Sequence, residues 1–173
     1  MNEQADAYHN GEYVPKDEVA ALKWRRMAAE AGDEKMQGEL WSLYSTGKAS
    51  SYDSVPIDEV EAMKWCRILA ADGNANALNS IGACYAEGRG LPQSDIEAYA
   101  YWTAVIMRWG DDPRSASQPE PLKRRELREK MSAADRAAGQ KRAGEILTDL
   151  HAKRMKNAAL FNVRQNQRSL DYK

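Results

Sequence analysis

The frame Asp-x6-Trp-x7-Gly occurs three times in this chain: Asp17, Trp24 and Gly32, then Asp58, Trp65 and Gly73, then Asp95, Trp102 and Gly110. Around the first two copies the wording is nearly the same, with KWRRMAAEAGDE from Lys23 returning as KWCRILAADGNA from Lys64. Ahead of each frame lies Tyr-x2-Gly, as Tyr8 with Gly11, Tyr44 with Gly47, and Tyr85 with Gly88. The Trp-to-Trp periods are 41 and 37 residues, the longer one holding extra residues in KASSYDSV, Lys48 to Val55. A period of this size marks a stacked array, because one short unit cannot bury its own apolar faces and must share a core with its neighbours.

Each part of the frame has a helical explanation. Ala21, Trp24, Ala28 and Ala29 fall at three- and four-residue steps and make one stripe of a helix, here called B. Gly32, Gly73 and Gly110 stand where such a helix stops. The preceding helix, A, is clearest in ALNSIGACYAEG, where Ala77, Ile81 and Tyr85 repeat every four residues and Gly82 admits a close neighbour. Gly88 and Gly90 end it, Pro92 follows, and Ser94-x-x-Glu97 offers a capping box for the next B helix. The unit is a helical hairpin.

This pattern of small residue, Leu-Gly, Tyr, Gly, then Asp, Ala, Trp, Ala-Ala and Gly resembles the Sel1-like repeat family, a relative of the tetratricopeptide repeats, over about residues 5–112. The resemblance implies an all-α fold, a right-handed α-solenoid of stacked helical hairpins closed by a C-terminal helical cap. Departures stand at Trp41, where the family has the glycine that Gly82 supplies, at Tyr99 in place of the alanine seen at Ala21 and Ala62, and at Ile106-Met107 in place of Ala-Ala. The third hairpin is thus degenerate, as terminal repeats are. The first is truncated, with Gln4 at the position matching Ile81. Family members often begin with an export signal followed by a phrase like DAYHNGEY, so the chain resembles a mature or trimmed product. By that resemblance the bacterial periplasm is the expected compartment, with the cytoplasm as the alternative.

Composition and charge divide the chain further. Residues 1–112 carry the repeats, 113–121 read as a linker rich in Pro, Ser and Asp, 122–160 as capping helices, and 161–173 as a polar tail that frays or depends on a partner. In the cap, Leu122, Leu127 and Met131 suggest a short helix, and Ser132-x-x-Asp135 opens a longer one with Ala143, Ile146, Leu147 and Leu150 on a stripe. Residues 1–112 hold 10 Lys/Arg against 19 Asp/Glu, a net of −9, and residues 113–173 hold 15 against 7, a net of +8. No stretch approaches the roughly 20 apolar residues a membrane helix needs, and the polar start has no apolar region suited to a secretory signal. Cys66 and Cys84 show neither CxxC nor zinc spacing, leaving two thiols or one disulfide.

A search for chemistry returns little. His9 and His151 lie far apart in different elements, and no nucleophile elbow, HExxH or P-loop is present. No catalytic residue, metal ligand or cofactor site is assigned. The basic segment has an electrostatic footprint for nucleic acid but only Phe161 and Tyr172 as aromatics, which leaves it without a stacking platform; the alternative is that it folds against the acidic repeats or meets an acidic partner. What remains is a surface for a protein partner. Aromatics that the repeat does not demand are its candidate anchors: Trp41, Tyr52, Tyr99, Tyr101 and Trp109, each with core packing as the plain alternative. The resemblance implies adaptors, receptors and assembly factors, frequently of bacterial envelopes, and some immunity proteins against secreted effectors, including lipases delivered by type VI secretion.

Overall fold

The structure is a computed structural model that describes residues 1–48, 55–109 and 120–171; at Trp109, at residues 120–122, at Arg154 and beyond Lys156 it describes the helical backbone alone. Among the described residues there are eight α-helices and no strand: α1 (Asn2–Asn10), α2 (Glu18–Glu30), α3 (Glu34–Thr46), α4 (Glu59–Ala71), α5 (Ala75–Glu87), α6 (Asp95–Trp109), α7 (Glu120–Lys130) and α8 (Ala133–Asp171). This is an all-α helical-repeat fold, with α1, α3 and α5 in the place of helix A and α2, α4 and α6 in the place of helix B.

The local chemistry of the repeat explains where each helix starts and stops. Asp17 accepts from the N–H groups of Val19 and Ala20, Asp33 from Met36, Asp58 from Val60 and Glu61, and Asn74 from Ala77, so side-chain oxygens satisfy orphan donors at four helix starts. In the third repeat the cap moves back one residue: Ser94 Oγ accepts from Glu97 N–H, and Asp95 becomes the first helical residue. The A helices end on Gly11, Gly47 and Gly88, all left-handed with φ of 74°, 72° and 71°. One further bond is common to the three hairpins. The tyrosine of Tyr-x2-Gly accepts, through its carbonyl oxygen, from the N–H that precedes or caps helix B: Asp17 to Tyr8 at 2.8 Å, Asp58 to Tyr44 at 2.9 Å, and Ser94 to Tyr85 at 2.9 Å. The same bond thus closes each A–B connection, over nine residues in the first and third hairpins and fourteen in the second.

The chain divides into two compact units, residues 1–69 with 89–92, and residues 70–88 with 93–173, so the division falls inside α4. The core of the first joins Ala28 and Ala29 of α2, Met36, Leu40, Leu43 and Tyr44 of α3, and Ala62 and Trp65 of α4. Buried Arg25 of α2 reaches Asp6 of α1 at 3.1 Å, and Arg26 of α2 pairs with Glu61 of α4 and lies over the Tyr44 ring. Trp65 is fully buried and donates its indole N–H to Glu61 at 3.2 Å.

The second unit is organised by one close approach. The indole of Trp102 on α6 lies directly over Gly82 of α5, and a Cβ placed there would sit 2.5 Å from Nε1 and 2.8 Å from Cδ1. The same Nε1 donates to the Asn79 carbonyl at 3.1 Å, an oxygen also on α5. Glycine within a helix costs about 1 kcal/mol relative to alanine. Burying an indole removes roughly 150–250 Å² from water, on the order of 4–6 kcal/mol at about 25 cal/mol per Å². The docking therefore outweighs the helical penalty several-fold.

Helices α7 and α8 extend the same scheme. Asp135, Gly139 and Arg142 stand at the offsets of Asp95, Tyr99 and Trp102, and Ser132 caps α8 by accepting from Asp135 N–H at 3.1 Å. At the offset where Gly32 and Gly73 stop the earlier B helices, α8 has buried Leu150. With no glycine or proline after Gly144, the helix runs on to Asp171, through the residues whose polarity reads as a tail.

The glycine contacts give opposite expectations for one type of change. Gly82→Ala forces Trp102 off its seat and is expected to destabilise by about 1–3 kcal/mol, the usual cost of overpacking. Gly38→Ala in α3, where a new Cβ meets nothing within 4 Å, is expected to stabilise by about 0.5–1 kcal/mol. Urea unfolding of the two variants checks the sign of each; destabilisation by both would refute the packing assignment.

Candidate partner-binding surface

The five aromatics singled out in the sequence fall in different environments. Trp41 of α3 is partly buried against the first core, so it fills space and still shows part of its ring. Tyr101 of α6 is partly buried and stacks on Tyr85, ring centroids 5.7 Å apart at 25°. Trp109 ends α6 with its side chain outside the described residues, and Tyr52 lies wholly outside them. Tyr99 is not a surface residue. It is 1% exposed, held under the Arg124 guanidinium at 5.2 Å and against Gly139 of α8, where a Cβ would meet its Cδ1 at 2.7 Å. The reason is complementary sizes: a tyrosine at the Ala21/Ala62 position needs a glycine opposite, and α8 supplies it.

The frame tryptophans are structural where their helix is covered. Trp65 and Trp102 are buried, whereas Trp24 is only partly so.

Four exposed side chains of the first unit went unremarked in the sequence: Tyr13, Val19, Ile57 and Val60, the first fully exposed and the others 80%, 61% and 75% exposed. A signal was present in the register. Val19 and Val60 both stand two residues after a capping aspartate, and Tyr13 stands two residues after Gly11, as Gly90 does after Gly88. Beside them Glu18 accepts from the His9 ring at 2.9 Å and pairs with Lys16 at 3.0 Å. Partial burial pushes the Glu18 carboxyl up, but the hydrogen bonds and charges of His9 and Lys16 outweigh it and hold the group below its ordinary value.

The basic C-terminal segment folds against the acidic helices of its own unit. Arg142 of α8 pairs with Glu97 of α6 at 3.1 Å, Lys153 with Asp72 at 3.0 Å, and Lys123 of α7 with Glu87 of α5 at 3.3 Å. Arg124 donates to Thr103 Oγ1 at 3.1 Å. Burial opposes the charge on Arg142, but its bonds to Glu145 and Glu97 prevail and raise its pKa. Four cations of the segment are thus engaged by the protein itself, which reduces the field offered to a polyanion.

Among the described residues no group of three His, Cys, Asp or Glu side chains is placed to hold a metal ion, and no helix is long and apolar enough to cross a membrane. His9 lies against Glu18, and His151 is exposed on α8. Cys66 is buried and Cys84 partly buried, both as thiols and not as halves of a disulfide. One open cleft of about 410 Å³ lies between Met1, Asn2 and Glu3 of the α1 start and Ala28, Ala31 and Asp33. Another of about 470 Å³ lies between Ser94, Ile96, Lys130, Met131 and Asp135.

The sequence model of the Sel1 repeat matches residues 4–33, 42–74 and 75–104, together more than half of the chain. The chain belongs to the Sel1 repeat family. Sel1 repeats are generally protein–protein interaction modules. The crystal structure of a Sel1 repeat protein from Oxalobacter formigenes is similar at 25% identity over 65% of this chain and 81% of that one, with a TM-score of 0.49. A protective antigen present in uropathogenic Escherichia coli strains, displaying an SLR fold, is similar at 19% identity over 90% of this chain and 39% of that one, with a TM-score of 0.52. That second likeness concerns the fold. No curated protein matches the chain.

The pairing of Tyr99 with Gly139 can be checked by a double-mutant cycle on this Sel1 protein. Gly139→Ala is expected to cost about 1–3 kcal/mol in the native background and much less when Tyr99 is already alanine, the residue native to that offset at Ala21 and Ala62. Additive losses in urea unfolding would contradict the contact.

Proposed function

We infer that this Sel1 repeat protein is a non-catalytic binding module for a protein partner, and that the partner is a secreted bacterial effector which it neutralises. The observation that supports a binding role most directly is the set of large apolar side chains left outside the cores, on helices and in loops, while tryptophans and alanines already fill the interior. Hot spots of protein interfaces favour aromatic side chains that are partly exposed and rigidly held. Trp41, fixed by the first core, and Tyr101, fixed by Tyr85, meet that description. The effector reading rests on the resemblance to immunity members of the family, and with it goes a place in the periplasm. The ion pairs of α7 and α8 with acidic helices favour protein binding over nucleic acid, because they leave the basic segment partly neutralised within its own unit.

The test uses purified chain and secreted effectors of the source organism, expressed one by one. A single effector bound in a 1:1 complex, with its enzymatic activity inhibited, is the expected result. Trp41→Ala and Tyr101→Ala are expected to weaken that complex at least tenfold while keeping native helicity by circular dichroism. Binding to envelope or signalling proteins without inhibition of any effector would replace this reading with that of an adaptor.

A further inference from the structure

We propose that Tyr13, Val19, Ile57 and Val60, exposed at or just before the starts of the first two B helices, are the docking anchors for a basic partner segment carrying apolar side chains, an inference that rests on the protein-binding reading above. Tyr13 is the only non-glycine residue with positive φ among the described residues, at 65°. Its counterpart Gly90 adopts 64°, and there the geometry is needed, since a Cβ would sit 3.1 Å from the Glu59 carbonyl oxygen. At Tyr13 no such packing operates, because the side chain is entirely in solvent. A bulky residue in the left-handed region is strained, and an aromatic ring in water recovers none of that cost in the folded chain. Folding does not explain the choice, whereas an exposed, backbone-fixed ring is what an interface anchor requires.

The valines show the same inversion. Two residues after the capping aspartate, the first and second B helices carry exposed Val19 and Val60. The third B helix carries Glu97 at that offset, and Glu97 is met by Arg142 of α8. Where the protein covers this position itself it uses an ion pair; where the position is open it presents a β-branched apolar side chain. Ile57, one residue before the second capping aspartate, is exposed too, while its counterpart Lys16 pairs with Glu18.

Charge complementarity decides what fits. Residues 11–19 and 57–61 hold six carboxylates, Glu12, Asp17, Glu18, Asp58, Glu59 and Glu61, against Lys16, with Arg26 and Lys64 reaching Glu61 and Arg89 one residue from Gly90, which lies against Glu59. Glu18 and Glu61 are engaged by neighbouring cations, while Glu12 and Glu59 stand exposed beside the apolar side chains. Apolar anchors among carboxylates repel acidic segments and nucleic acid and steer basic ones.

The experiment selects displayed random 16-residue peptides on the full-length chain and measures the enriched sequences by fluorescence anisotropy. Peptides of net positive charge with apolar or aromatic side chains are expected, binding less tightly as salt rises. Tyr13→Gly and Val60→Ser are expected to lower affinity at least tenfold. The urea midpoint of Tyr13→Gly is expected to be unchanged or raised, because glycine adopts the backbone without strain. Enrichment of acidic or uncharged peptides, equal affinity in the two variants, or no enrichment would overturn the proposal. If the effector complex is lost in Trp41→Ala but intact in Tyr13→Gly and Val60→Ser, the anchor assignment fails and the protein-binding reading stands.

Discussion

The seat of Trp102 on the bare Cα of Gly82 is the contact on which the second unit turns. An indole is large for a helix–helix interface, and here its burial uses a missing side chain opposite and an acceptor for its N–H; α5 provides both within one turn, at Gly82 and the Asn79 carbonyl. With Trp102 seated, α6 is fixed on α5, and its far face becomes the surface on which Tyr99 meets Gly139 and Glu97 meets Arg142. The first unit solves the same problem differently. Trp41 occupies the offset of Gly82, so Trp65 has no seat of that kind; it is buried among Ala28, Ala29, Leu40 and Leu43 and turns its N–H to Glu61 of its own helix.

The C-terminal helices continue the repeat in weakened form. Asp135, Gly139 and Arg142 keep the offsets of a B helix, but an arginine in the tryptophan place cannot be buried in a seat, and it pairs across to Glu97. Leu150 in the glycine place removes the stop, which is why α8 outruns every other helix. Ion pairs thus do at the end of the array what indoles do inside it. Basic α7 and α8 thereby lie on helices that present Glu87 and Glu97.

Most of the fold was legible because its signals are local. Caps at Ser94 and Ser132, the frame positions Asp17 and Asp58 that turn out to cap, and stops at Gly32, Gly73 and Gly88 depend on a few consecutive residues, and the spacing of Ala77, Ile81 and Tyr85 depends only on helix geometry. The capping box at Ser94 was half legible: the serine caps, while the Glu97 carboxylate is drawn to Arg142, 45 residues away. The candidate surface was less legible for the same reason. Whether Tyr99 is an anchor or a core residue is decided by α8, which no local pattern reveals, and whether Tyr13 is unusual is decided by a backbone angle inherited from the glycine register of the repeat. Tyr52 and the Trp109 side chain lie outside the described residues.

A scaffold held by buried indoles and small residues leaves recognition to side chains that the repeat does not specify, so the family pattern and the binding surface are nearly disjoint sets of residues. The claim that orders all of this is that Trp65 and Trp102 lie in sealed environments while Trp24 and Trp41 do not. Hydrogen exchange of the indole N–H groups, followed by NMR on the full chain, measures it directly. The account predicts that the Trp65 and Trp102 indole protons exchange slowest and those of Trp24 and Trp41 faster; a Trp102 proton exchanging as fast as that of Trp24 would contradict it.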